Sequence, residues 1–529
     1  MTGPRRAANL AEVLRQTARR LPSSTAVVHG GERWTWAELD RRVDALAAEL
    51  ERRGISKGDV VLLDSPNHPE FIQAMYATWR IGAVLAPVNS RLHDDDVVVI
   101  AGVCRPSVMI GHASTASHVA AVTAARGVNG GVLWIEGTDT DAVAAVERSS
   151  KPAAISTYEG EPAWYFFTSG TSGTPKAAIL THDQLGFVVN NHLADLMPTT
   201  DRHHVSLVVA PLSHGAGVHM LPQVARGAAT VLPASTSLVP DEVWGLVESE
   251  RVTNVFTVPT ILKVLVDHPS VHEHDHSSLR HVIYAGAPMY APDQKRARET
   301  LGEVLVQYYG LAEVTGNITV LPSAEHGRPV PEGLSAGTCG YPRTGMVVSV
   351  QDDSGAELPA GEIGELCVAG PAVFAGYLDN DKANAEAFRD GWFRTGDLGV
   401  IDDDGFVYVT GRSSDMYISG GSNVHPRDIE EKILTHDAID EVAVLGVPDP
   451  KWGEVGVAVC VRTPGAEVSA EQLTQWLGER MARYKLPRHI LFRDALPKSG
   501  YGKIVKRTIR DELAAQGWGP YASTLEPVS

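Results

Sequence analysis

A chain of 529 residues with 46 Lys and Arg against 64 Asp and Glu carries a formal net charge of −18 at pH 7. That balance excludes a nucleic-acid coat and a polybasic membrane anchor, because both need surplus positive charge. With 43% hydrophobic and 21% charged residues, the composition is that of a globular chain with a sizeable core, and the length allows about three or four domain-sized units.

The opening MTGPRRAANLAEVLRQ has two arginines but no apolar run behind them, so no secretory signal is expected. The first 150 residues alternate helical and strand patterns, as in AELDRRVDALAAELERRG, DVVLLDSP and EFIQAMYATWRIGAVLAPVN. This alternation predicts layered α/β packing with parallel pairing. Asp59 to Asp64 and Gly82 to Val88 read as strands punctuated by Gly, Pro or Asp, and the apolar run Val97 to Cys104 reads as a further buried strand. No apolar run approaches the roughly 18–20 residues of a bilayer span. Cys104, Cys339, Cys367 and Cys460 form no CxxC pair and read as reduced core thiols.

The strongest local signal is YFFTSGTSGTPK, Tyr165 to Lys176. An aromatic strand runs into Thr168, Ser169, Gly170, Thr171, Ser172, Gly173, Thr174, Pro175 and Lys176. Glycines let backbone N–H groups turn toward an anion, hydroxyls add donors and the lysine supplies a point charge, which suits a nucleotide polyphosphate. This is not a Walker A loop, which needs GxxxxGK[ST]; here Gly173 stands three residues before Lys176, and Ala177 follows the lysine.

Further on, His268, His272, His274, His276 and His281 invite a metal reading. HEHDH lies in a polar loop, however, and closeness in sequence does not supply ligand geometry, so no metal site is expected there. From about Ser349, SVQDDSGAEL and GVIDDDGFVYVTG carry hairpin cues, and Thr338 to Thr410 reads as antiparallel β. Gly411 and Arg412 lead into the polar joint Ser413-Ser414-Asp415, after which the chain reads β, α, β, α. The expected anatomy is a compound domain over 1–412, a hinge at 413–415 and a small α+β lid over 416–529.

These segments, together with PLSHGAG at Pro211 to Gly217, AGAPM at Ala285 to Met289, YGLAE at Tyr309 to Glu313, GELCVAGP at Gly364 to Pro371, GWFRTGD at Gly391 to Asp397, SGGSNVHPRDIE at Ser419 to Glu430 and PKSGYGKI at Pro497 to Ile504, give the chain its family likeness. In order and along nearly its whole length it resembles the adenylate-forming superfamily of acyl-CoA synthetases, peptide-synthetase adenylation domains and luciferases. The resemblance implies layered α/β subdomains plus a β-barrel-like subdomain, with a mobile C-terminal α+β domain.

It also implies roles. Tyr309 offers a flat face to adenine, and the segment Gly286, Ala287, Pro288 approaches the other face. Gly310 and Ala312 border the nucleotide, and Glu313, with Thr168, suits Mg²⁺. Asp397 accepts from the ribose hydroxyls and Arg412 donates to the same sugar. Lys503, in a Gly-rich turn, neutralises charge between the attacking carboxylate and the α-phosphate. Ser414 is the hinge position, and Gly420 and Gly421 let a pantetheine arm pass close to the backbone. His214, Gly215, Gly217, Val218, Tyr284, Ala287, Met289 and Gly316 are wall candidates for the acid.

Two positions depart from the family pattern. Ala312 stands where Thr is usual, removing a donor to the α-phosphate worth roughly 1.5–3 kcal/mol, which Thr315 or Thr168 could replace. Ser414 stands where Asp or Lys is usual, and a hinge needs permissive dihedrals rather than a charge.

The implied function is an ATP-dependent carboxylic acid:CoA ligase with Mg²⁺, acting on a bulky or medium-to-long hydrophobic acid. An acyl-AMP ligase or stand-alone adenylation enzyme loading a carrier protein is the alternative, and a luciferase-like oxygenase is a remoter one. From another class, a non-catalytic adenylate-binding sensor is the competitor. No carrier domain follows Ser529 and the ending EPVS is no targeting signal, so cytoplasmic residence is expected; a homodimer is left open.

Overall fold

The computed structural model describes residues 5–135, 155–168, 175–332, 334, 336–412, 415–419, 422–498 and 504–518. Parallel strands Val60–Asp64, Val84–Val88, Val108–His112 and Val132–Ile135 pair as expected. They belong to a six-stranded sheet closed on one edge by the hairpin Pro162–Thr168 and Lys176–Thr181. Each of the first three is buried along its whole length, which is why they read as apolar runs without alternation.

A nine-stranded sheet runs from Tyr341–Pro342 through Thr319–Leu321, Leu305–Tyr309, His281–Tyr284, Asn254–Thr257, Val205–Val208, Ala229–Leu232 and Thr25–His29 to Glu32–Thr35. Its strands from Thr25–His29 to Leu305–Tyr309 are parallel, and the largest apolar core joins residues of both sheets, including Trp164, Phe256 and Tyr308, with Trp79 of the helix Pro69–Arg80. A second core lies under the helices Pro240–Ser249, Pro259–Asp267 and Ala291–Leu301.

Val97–Cys104 is not a strand. It belongs to the helix Asp94–Cys104, whose N-cap His93 accepts from Asp95 N, with Asp94, Asp95 and Asp96 in the first turn. The buried positions Val97, Ile100, Ala101 and Cys104 have helical spacing. Three acids at the positive end of the helix dipole, and that spacing, outweigh the β preference of the valines.

Strands Val347–Gln351, Gly364–Ala369, Trp392–Ile401 and Val407–Arg412 pair antiparallel, in keeping with the hairpin cues. The C-terminal sheet comprises Tyr417–Ser419, Ser422–Val424, Ile439–Asp449, Gly453–Arg462 and His489–Arg493, with a core of its own. It is tied to the rest of the chain by Lys263 Nζ to Asp440 Oδ1 at 3.1 Å and by Arg427 Nη1, which donates to Val409 O at 2.8 Å. No helix among the described residues is long and apolar enough to cross a membrane.

Candidate active site

The hairpin that carries the phosphate loop sets Thr168 directly across from Lys176. Ser169, Gly170, Thr171, Ser172, Gly173 and Thr174 lie outside the described residues, as do Ser414, Gly420, Gly421 and Lys503. Lys176 Nζ stands 5.0 Å from the Tyr377 ring centroid, and Tyr377 Oη donates to Glu313 Oε1 at 2.8 Å. Burial, with the Glu313 carboxylate second, raises the Tyr377 pKa, so the phenol stays a donor. Glu313 itself is buried in a short turn of 3₁₀ helix, Ala312–Val314, and its backbone O accepts from Phe374 N at 2.8 Å.

A second group forms beside it. Tyr309 Oη donates to Asp397 Oδ2 at 2.6 Å, and Arg412 Nε donates to Asp397 Oδ1 at 3.1 Å. The antiparallel register of Trp392–Ile401 with Val407–Arg412 places Asp397 opposite Arg412, so the ion pair is built into the sheet. Desolvation works against the Arg412 charge, but Asp397 and Tyr309 hold its pKa above the ordinary value. Burial and then Asp397 push the Tyr309 phenol far up. Tyr309 is therefore a polar anchor as well as an aromatic face.

The glycines have separate reasons. Gly310 has the backbone of Gly316 where a Cβ would stand, 2.4 Å away, so side chains are excluded by main chain. Gly286 has φ +84°, yet its nearest neighbour to an added Cβ is Val258 Cγ1 at 3.7 Å. Its glycine serves the left-handed backbone, with ordinary space around it. Ala287 and the exposed Pro288 follow in the same loop. Thr315 does not replace the hydroxyl missing at Ala312, because its Oγ1 donates to Val314 O at 2.6 Å and accepts from Asn317 Nδ2 at 3.0 Å.

The acid-wall candidates divide. His214 stacks edge-on against Phe166 at 4.9 Å, and burial pushes its pKa down to about 3, so the ring is neutral. A Cβ on Gly215 would meet Phe256 Cζ at 2.8 Å and Tyr308 Oη at 3.7 Å, and one on Gly316 would meet the Tyr308 ring at 2.4 Å. These two glycines face a shared space that the Phe256 and Tyr308 rings fill. Gly217 packs on Leu212 O and Trp164, and Val218 is core.

Tyr284 and Met289 pack in the second core. Alternation along His281–Tyr284 turns Ile283 to the main core, while Val282 and Tyr284 face the second core, where Met289 also packs. Tyr284 Oη is engaged by Gln307, Gln294 and His326. The sequence reading did not single out Tyr377, Phe256 or Tyr308, which the structure places against Glu313, Gly215 and Gly316 respectively; only the YY doublet at Tyr308-Tyr309 offered a signal. Of the histidines in the His-rich stretch, where no metal site is expected, His274 bonds Glu248 and His268 bonds Ser270.

Tyr309, Asp397 and Arg412 in one group, and Glu313, Tyr377 and Lys176 in the other, come together as the adenylate-forming resemblance leads one to expect. Residues 14–378 match the family described as AMP-binding enzyme, and residues 428–503 match AMP-binding enzyme C-terminal domain. A feruloyl-CoA synthase of Amycolatopsis sp is 37% identical over 495 residues, covering 93% of this chain and 96% of the relative. A long-chain-fatty-acid–CoA ligase of Mycobacterium tuberculosis is 34% identical over 512 residues, covering 96% and 99%. ATP-bound MatB from Rhodopseudomonas palustris superposes with a TM-score of 0.87 at 29% identity, over 96% of this chain and 99% of that one. The chain belongs to the AMP-binding enzyme family, and it is an acid–thiol ligase whose co-substrates are ATP and CoA.

The Mg²⁺ typical of the family suits this site. One Glu313 oxygen is taken by Tyr377, while the other makes no hydrogen bond or ion pair among the described residues. No three His, Cys, Asp or Glu converge there or elsewhere among the described residues. An ion would thus rest on Glu313 and complete its shell with phosphate oxygens and water, as a hard octahedral cation prefers.

Proposed function

We propose that the protein activates a bulky hydrophobic carboxylic acid, aryl in character, and transfers it to CoA. The observation that carries this reading is the coupling of Tyr309, Asp397 and Arg412 beside Glu313, Tyr377 and Lys176, next to the space faced by Gly215 and Gly316.

In the first half-reaction an oxygen of the acid attacks the α-phosphorus of ATP, the bond to the β-phosphate oxygen breaks, and pyrophosphate leaves. Asp397 holds the ribose, while Lys176 offsets phosphate charge. A bound Mg²⁺ supplies Lewis-acid neutralisation of the phosphate oxygens. In the second, the CoA sulfur attacks the acyl carbon, the bond to AMP breaks, and the thiol proton passes to solvent. Lys503, the hinge at Ser414 within 413–415, and Gly420-Gly421 are assigned by the family motif. In that scheme the lid 416–529 rotates on the compound domain 1–412, withdrawing Lys503 between the steps.

A medium-to-long chain acid is the second reading, favoured by the long-chain relative. The filled space between Gly215, Gly316, Phe256 and Tyr308 favours the more compact acid. Pyrophosphate exchange across aryl and fatty acids tests both. Exchange with aryl acids is the expected result, exchange with fatty acids alone selects the second reading, and none with any acid overturns the ligase assignment. Lys503→Ala should suppress exchange while leaving thioester formation from supplied acyl-adenylate largely intact, and equal loss of both steps would remove the alternating lid.

A further inference from the structure

Behind Tyr308 lies a polar group that the reaction above does not use. Arg343 is fully buried, at 1% exposure, with its guanidinium 5.9 Å from the Tyr308 ring centroid. Nη2 donates to His192 Nδ1 at 3.2 Å, while Nε and Nη1 have no hydrogen-bond partner. The nearest acid, Asp195, approaches Nε only to 3.7 Å. Its oxygens are already satisfied by Thr344 N and Thr344 Oγ1, each at 2.8 Å, and by Asn191 Nδ2 at 3.2 Å. The tie between the helix His182–Asp195 and the loop at Thr344 therefore stands without the arginine. Arg343 thus has one hydrogen bond out of five possible and a long ion pair to Asp195, so its buried charge is only partly compensated.

His219 completes the group. It stacks on Phe256 at 5.5 Å and lies 6.0 Å from the His192 ring. Gln223 Nε2 donates to Asn254 Oδ1 at 2.8 Å and faces His219 Nε2 at 3.3 Å. Gln223 Nε2 also reaches Met197 Sδ at 3.3 Å, and His219 Nδ1 has no partner among the described residues. Burial keeps His219 neutral, pushed down to about 4, and holds His192 well below its ordinary value. Arg343 is lowered by burial to about 10 and stays charged at neutral pH.

The unfilled positions on Arg343, Nε–H and the Nη1 hydrogens, are donors, and the unfilled Nδ1 of His219 is one in its Nδ1–H tautomer. Arg343 lies against Tyr308 and His219 against Phe256; these two rings, stacked at 6.0 Å, fill the space faced by Gly215 and Gly316. We propose that Arg343 and His219 form a specificity subsite at the closed end of the acid pocket, which takes a hydrogen-bond-accepting oxygen on the far side of an aryl acid. This rests on the reading of the Gly215–Gly316 space as the acid site. A site of unpaired donors rejects an isostere lacking the oxygen, because the donors then stay desolvated and unpaired.

The test uses the full-length protein in pyrophosphate exchange with para-hydroxycinnamate and para-methylcinnamate, near-equal in shape and different in the acceptor. The wild type should favour the hydroxyl acid by about tenfold or more in kcat/KM, and Arg343→Met should bring the ratio close to one. A purely structural loss would lower both acids together and leave the ratio unchanged. His219→Phe, which keeps the stack on Phe256, should reduce the ratio by a smaller factor, and it serves if Arg343→Met does not fold. Exchange without discrimination in the wild type, or a ratio untouched by both variants, overturns the subsite and leaves the ligase reading intact. No exchange with any acid removes the ligase reading first.

Discussion

The two ends of the site are built on opposite terms. At the nucleotide end, Asp397 already holds Tyr309 and Arg412, and Glu313 already holds Tyr377, so charge and hydrogen bonds are largely matched before substrate arrives. At the proposed acid end, Arg343 Nε and Nη1 and His219 Nδ1 make no hydrogen bond among the described residues, and Asp195 offers Arg343 only a 3.7 Å ion pair. The first arrangement is preorganised around a ligand of fixed shape, in which ribose and phosphate replace existing partners. The second stores unmet polarity, which makes it selective: only an acid that completes it recovers the cost of burial.

The largest expected effect breaks the nucleotide end. Asp397→Ala removes the acceptor for Tyr309 and the partner of Arg412 as well as the proposed ribose contact. Two hydrogen bonds to a charged group at about 1.5–3 kcal/mol each imply ATP binding weaker by roughly 100-fold or more. Calorimetric titration with ATP checks this. Unchanged affinity would mean that Asp397 serves only the sheet register it shares with Arg412.

The same contrast governs what could be read from sequence. The proposed nucleotide end lies along short motifs marked by glycine: the Gly-rich sequence at 169–174, the turn before Asp397, and Gly310 pressed against Gly316. Such constraints leave compositional marks. Arg343, His192 and His219 sit within ordinary apolar surroundings on a loop and two helices, and only the packing of three distant segments brings them together. That Phe256 and Tyr308, and not Tyr284 and Met289, face the space proposed for the acid has the same origin. Which face of a strand meets which core is fixed by sheet stacking, and small residues such as Gly215 and Gly316 mark space without saying what fills it. In the first subdomain, the helix at Asp94–Cys104 was legible through its acid-rich first turn, a signal that the valine run obscured.

Two substitutions sharpen each end in turn. Ala312→Thr restores a hydroxyl beside Glu313 that Thr315 does not supply, and a gained donor to the α-phosphate should raise the adenylation rate by about tenfold. Single-turnover formation of acyl-adenylate measures it; no gain would show that another group already meets that oxygen. At the acid end, Tyr308→Ala vacates the space next to Gly316 and should shift preference toward longer acids by about tenfold in relative kcat/KM, since each added methylene in an apolar pocket contributes roughly 1–3 kcal/mol. It should also lower the melting temperature, because a large ring leaves the core. An unchanged acid preference would place the pocket elsewhere.

The smallest effect is on stability against pH, and it separates the ends by their histidines. His214, His219 and His192 are all buried at the acid end, and in each burial is the first cause of a lowered pKa, to about 3, to about 4 and well below the ordinary 6.5 respectively. On unfolding each ring becomes free to take a proton near pH 6.5, so between that pH and the folded values the unfolded chain binds more protons than the folded one. Stability is then complete above about pH 6.5 and falls as pH drops toward 4, at about 1.4 kcal/mol per pH unit for each histidine. His182 and His281, also lowered by burial to about 4, add to the slope from outside the site. Removing one ring with His219→Phe should therefore shallow the decline by about one proton's worth without abolishing it, measured as urea-unfolding free energy at several pH values below 6.5. An unaltered slope would mean that His219 titrates alike in both states, and so is reached by water in the folded protein, which would also fill its Nδ1 and weaken the case for a substrate oxygen there.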